Sequence, residues 1–144
     1  MKSIRGRIIV FGLVFVFGLS FSGLFGQEKL SHEKLVGEWN VEVDAGGGYY
    51  YLTMTIEKTN GGLRGTISEE SGYFQNAALS DIEFDGVILK FGFTAPTPPD
   101  DYERLVKVEF KVSENRLEGH MIAEDLDLTV SATATRKKGS HLNI

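Results

Sequence analysis

Twenty carboxylates, three histidines and no cysteine bound the chemistry open to this 144-residue chain. Without cysteine there is no disulfide, no thiolate metal site and no cysteine nucleophile. His32, His120 and His141 stand in a lead-in, on a strand-like segment and in a tail. A metal wants three or four ligands converging on one point, which this scatter does not offer. Asp81-x-Glu83-x-Asp85-Gly86 resembles the first half of a calcium loop, but the twelfth position, which should supply a bidentate carboxylate, is Gly92. Ile82 and Phe84 interleave those acids as a strand would, so they read as a solvated outer face. Glu124-Asp125 with Asp127 reads as an acidic turn, with a loose calcium site as the sharper alternative. No serine has a nucleophile-elbow context, and no glycine loop opens a helix to cradle phosphate. The expectation is a protein that is not an enzyme and needs no metal and no cofactor.

The aromatic residues offer binding chemistry instead. Tyr49, Tyr50 and Tyr51 follow one another, and Tyr73, Phe74 and Tyr102 stand in connections further on. Alternation sends Tyr50 inward and Tyr49 and Tyr51 outward. Outward tyrosines suit an interface, because they offer area at low entropy cost. Ordinary strand packing explains them as well, since aromatics are enriched in strands.

These residues must be positioned by strands. From Leu35 onward the hydrophobic period is two. Trp39, Val41 and Val43 alternate with Glu38, Asn40 and Glu42, and similar runs recur to Thr135. Asn60-Gly61 and Asp85-Gly86 are hairpin signals, and Glu114-Asn115 makes a third short turn. Ser68 to Ala78 is a longer connection, and Ala95 to Asp101, with three prolines, reads as a loop. The count is about eight strands. Joined through short turns, they predict an all-β, up-and-down antiparallel barrel, which buries the apolar face and removes both edges. A β-sandwich is the alternative architecture.

Parity places Tyr50, Leu52, Met54, Phe84, Phe91, Phe110 and Met121 among the interior residues, and these are the candidate ligand-binding set. Val130 and Leu128 share that face. An eight-stranded barrel is either filled by side chains or holds one small ligand. A cavity above about 300 Å³ would favour a binder, and a filled core would exclude one. Trp39 opens the first strand and Arg136 closes the last on the same parity. With Gly37 they form a candidate closure of one end, which would send any ligand in at the other.

The N-terminus looks like a targeting segment. Lys2, Arg5 and Arg7 precede an apolar run from Ile8 to Leu19, and Ser20 to Gly26 is small and polar-leaning. Residues 1–26 therefore read as a secretory signal peptide, with an uncleaved membrane anchor as the alternative. Gln27 to Lys34 is a lead-in, the barrel spans residues 35–137, and 138–144 is a polar tail expected to be mobile. Removing the three basic residues of the leader leaves 12 basic against 20 acidic residues, a net charge of −8. Such a domain is a poor partner for nucleic acid or anionic lipid. The expected location is periplasmic or secreted, with membrane contact only through the leader if it is retained. Oligomeric state is not legible.

Five short motifs in order carry a resemblance: Gly37-x-Trp39, Leu63-x-Gly65, Leu89-x-Phe91, Leu117-x-Gly119 and Ala134-x-Arg136. Together they resemble the lipocalin and calycin-type barrels, most closely the short lipocalin-like domains of exported bacterial proteins. The match runs from Leu35 to Lys137. The resemblance implies a barrel, often with a cavity for an apolar small molecule. Asp101-Tyr102 looks like a further motif of larger lipocalins but stands in a proline-rich loop, and the disulfide common in secreted relatives is absent. Avidin-type barrels share the opening motif, but they line their pocket with tryptophans that this chain lacks. The expected function is thus an exported, non-enzymatic barrel binding a small hydrophobic ligand. The rival is a structural or protein-interaction module with a filled core.

Overall fold

The computed structural model describes residues 29–139. The signal-like segment and the end of the tail, from residue 140, lie outside the described residues. Nine strands form one antiparallel sheet that nearly closes into a barrel. They are β1 (Gly37–Asp44), β2 (Tyr49–Thr59), β3 (Gly62–Glu69), β4 (Ala77–Ala78), β5 (Ser80–Phe84), β6 (Ile88–Thr97), β7 (Tyr102–Val112), β8 (Arg116–Ala123) and β9 (Leu128–Arg136). The order across the sheet is β4-β3-β2-β1-β9-β8-β7-β6-β5. Every connection but one is therefore a meander, and β1 pairs with β9, so the first and last strands lie side by side.

The sequence leads to eight strands, and the ninth, β4, lies at the end of the segment read as a connection from Ser68 to Ala78, where Ala77 and Ala78 find a partner in β3. Residues 77–84 change partner midway. Ala77 and Ala78 pair with Ile67 and Thr66 of β3. Leu79 still donates its N–H to the Gly65 carbonyl at 2.9 Å. From Ser80 the chain pairs with β6 instead, through a bulge between Ser80 and Glu83. Asp81 takes a left-handed φ of 52° at that bulge. A bulge bends a strand and raises its twist, so this segment turns from one edge of the sheet to the other. It stands at the seam of the barrel.

The proline-rich connection is also shorter than expected. β6 continues through Ala95, Pro96 and Thr97, which pair with Arg104, Glu103 and Tyr102. β5 reaches only as far as Gly92. The last five residues of β6 thus lie at an edge, where a sheet tolerates proline.

Period-two patterning produces the core directly. In β7 every second residue from Arg104 to Val112 is buried, and those between are exposed. Gly65 and Gly119, the glycines of the two Leu-x-Gly motifs, serve close approach. A Cβ on Gly119 would lie 1.8 Å from the Glu109 carbonyl oxygen, and one on Gly65 would lie 2.4 Å from that of Thr55. The crossing strands leave no room there for any side chain. The lead-in holds a single 3-10 turn, His32–Leu35, whose Leu35 is fully buried.

Candidate functional site

The two ends of the barrel differ. At one end β1 begins and β9 finishes, and Trp39 pairs with Arg136. Trp39 is completely buried, and its indole Nε1 donates to the Leu35 carbonyl at 2.9 Å. The Arg136 guanidinium lies over the indole, 4.3 Å from the ring centroid. Its Nη1 donates to the Val36 carbonyl at 2.8 Å, and its Nη2 donates to the Lys34 carbonyl. Burial works against the charge and pushes the Arg136 pKa down from its ordinary value. Two carbonyls and an aromatic face replace the water it has lost. Gly37 opens β1 opposite Ile56, beside this cluster. One end is thus stoppered by a tryptophan, an arginine and the lead-in turn.

The core above the stopper is solid. Met54, Phe91 and Phe110 are buried there, with the Phe91 and Phe110 rings 6.2 Å apart. These three candidates pack the lower half of the barrel and line no cavity. Phe84 stands apart as well. It is partly buried at the periphery of the core, its ring 5.6 Å from that of His32. Phe84 keeps its inward parity, paired with the buried Leu89, but it sits beside the lead-in at the stoppered end, away from the cavity.

The other end is hollow. A cavity of about 360 Å³ opens between the β1–β2, β3–β4, β6–β7 and β8–β9 connections. Leu52, Met121 and Val130 form part of its wall with Phe93 and Val106. Tyr50 and Leu128 stand at the rim, 40% and 45% exposed rather than enclosed. They are the last inward residues before their strands end, so one side of each meets water. Apart from Glu69, Thr97 and the two tyrosines Tyr50 and Tyr73, the lining is hydrocarbon. Of the seven candidate interior residues, the structure brings Tyr50, Leu52 and Met121 together around this space. A second hollow, of about 490 Å³, lies at the stoppered end among Lys34, Lys111, Glu114 and neighbouring residues. It is an open cleft with charged walls, and it does not enter the core.

Two loops overhang the mouth. Phe74 reaches down from the β3–β4 connection and stacks on Phe93, with centroids 5.8 Å apart. Tyr73 beside it donates its hydroxyl to the Asp101 carboxylate in the β6–β7 connection. That bond favours the neutral phenol and pushes the Tyr73 pKa up to about 12. Pro98 and Pro99 complete the overhang.

Arg104 anchors it. It is the one buried charged residue among those described, 8% exposed. Its Nη1 and Nη2 donate to the two Asp100 oxygens at 2.6 and 2.7 Å, and its Nε donates to Asp125 at 2.8 Å. Nη1 also reaches the Thr97 hydroxyl at 2.9 Å. One guanidinium therefore ties the β6–β7 loop to the β8–β9 turn. The Arg104 fork holds the Asp100 carboxyl at a pKa of about 2. The missed signal was an arginine on the same parity as Val106 and Val108. Phe74 also had a signal, as an aromatic inside a polar, glycine-containing connection.

The acidic segments hold no metal-binding cluster. Asp85 caps its own turn, accepting from the N–H groups of Val87 and Ile88 at 2.8 and 2.7 Å. Glu124 pairs with Lys107 at 2.7 Å, and Asp125 with Arg104. Among the described residues no group of three His, Asp or Glu side chains could hold a metal ion. No helix among the described residues is long and apolar enough to cross a membrane. No family model, no curated protein and no solved structure matches this chain.

Proposed function

We propose that this chain is an exported, non-enzymatic barrel of lipocalin-like type that binds a small apolar molecule at its open end. The observation that carries the reading is the hydrocarbon-lined cavity of about 360 Å³ opposite the Trp39–Arg136 stopper. Ligand pockets usually run from about 300 to 1,000 Å³ and are mostly apolar, with a few polar groups for orientation. Here Tyr50, Thr97 and Glu69 supply those groups at the rim. Export rests on the basic and apolar leader between Lys2 and Leu19. The five ordered motifs from Gly37 to Arg136 support the lipocalin-like type.

Trp39 is a poor reporter of this site, since it lies at the far end. The neutral dye N-phenylnaphthylamine, whose emission rises in apolar surroundings, reads the cavity directly. Ala123 lines the wall and is buried, so Ala123→Phe should fill the space. The dye should bind the parent protein and lose at least about tenfold in affinity in the variant, the equivalent of about 1.4 kcal/mol. An unresponsive dye, or equal binding by a folded variant, would refute the reading.

A further inference from the structure

We infer that the mouth selects its ligand by charge, and that the preferred occupant is a cationic amphiphile: an alkyl chain in the cavity with an ammonium head at the rim. This inference rests on the proposed binding of an apolar molecule and adds the ligand's head group. The four connections around the mouth, residues 44–49, 69–77, 97–102 and 123–128, contain eight carboxylates and no lysine, arginine or histidine. Glu69 lines the cavity itself. Asp100 and Asp101 follow the overhanging Pro98 and Pro99, and Asp125 and Asp127 flank the lining residue Leu126. Two strand cations reach into this rim. Arg104 is engaged by Asp100 and Asp125, and Lys107 by Glu124. A net six negative charges remain around the opening.

The opposite end has the reverse sign. Lys29 and Lys34 in the lead-in, Arg116, Arg136 to Lys138 and the paired strand residue Lys58 outnumber Glu33, Asp85, Glu114 and the paired strand residues Glu38 and Glu118 by seven to five. Acidity that served solubility alone would have no reason to gather at the end that is hollow. A carboxylate head, as on a fatty acid, would have to enter against the rim field, whereas an ammonium head would be drawn to it. Six charges at roughly 10 Å, acting through salt water with opposite sign on the two heads, separate them about tenfold at physiological ionic strength. The same sum nearly vanishes at about 1 M salt, where the screening length is about 3 Å.

The test displaces bound N-phenylnaphthylamine with decyltrimethylammonium, decanol and decanoate, each below its micelle concentration. The expected order is ammonium, then alcohol, then carboxylate, with about tenfold between the extremes, collapsing toward equality in about 1 M sodium chloride. Glu70→Gln combined with Asp127→Asn should shrink the gap, with circular dichroism showing that the barrel remains folded. If the three compounds displace the dye equally, or the carboxylate displaces it best, charge selection is overturned while the apolar site stands. If the dye binds but none of the three displaces it, the site takes no alkyl amphiphile and the inference is overturned. If the dye itself does not bind, the proposed function falls and the inference falls with it.

Discussion

Replacing Trp39 by alanine tests whether the stopper holds the barrel shut. The indole is fully buried, donates to Leu35 and lies under Arg136. Truncating a buried aromatic residue to alanine costs about 3–5 kcal/mol in lost transfer energy and cavity formation. The indole–carbonyl hydrogen bond contributes about 1 kcal/mol, and stacking of a partly desolvated guanidinium about 1 kcal/mol more. These terms overlap, because the truncation figures already include some polar contacts, so about 4–5 kcal/mol is the working value. A domain of this size has about 5–15 kcal/mol of stability in all. Urea unfolding followed by far-ultraviolet circular dichroism is the assay, since the variant has no tryptophan to observe. With a slope of about 1.5 kcal/mol per molar, the midpoint should fall by about 3 M. Trp39→Phe keeps most of the ring and should lose about 2 kcal/mol, which covers the case in which the alanine variant does not fold. A loss below about 1 kcal/mol for the alanine variant would refute the stopper's role in stability.

Gly119→Ala should destabilise the fold by about 3 kcal/mol or more, because the new Cβ meets the Glu109 carbonyl at 1.8 Å and a backbone must move. An unchanged thermal midpoint would show that the strands cross less tightly than this. Asp100 gives a pH signature. Its folded pKa is lowered to about 2 from an ordinary 3.8 by Arg104, so its stabilising contribution is present above about pH 4 and is lost as pH falls toward 2. Asp100→Asn should therefore unfold with a flatter acid dependence than the parent over that window. Parallel acid profiles from chemical unfolding would contradict the pairing.

The structure shows how far alternation can be trusted. Trp39 and Arg136 share a parity and meet, because both strands are regular between the turns that set their register. Met54, Phe91 and Phe110 are inward and buried for the same reason. Parity does not say how high along the barrel a residue sits, and that height separates them from Leu52 and Met121 at the cavity. The same holds for Phe84, which faces inward opposite Leu89 but lies beside His32 of the lead-in rather than at the cavity. Arg104 was legible in principle as a charge on an inward row. Its partners Asp100 and Asp125 come from different connections, and their convergence depends on how the sheet curls.

Local chemistry was enough for the class of fold. A period of two, Asn-Gly and Asp-Gly turns and glycines on the inward row are short-range preferences, each expressed within a few residues. They determined an antiparallel meander with an apolar face and strands in chain order. Whether that face would be filled or hollow was a matter of volume, and volume depends on curvature, strand stagger and the loops folded over the mouth. Only the tertiary structure decided that the lower half is packed by Phe91 and Phe110 while the upper half opens into a hollow of about 360 Å³. The sorting of charge was likewise written along the chain as scattered acids. It became a negative mouth and a positive base only when alternate turns were brought to opposite ends of one barrel.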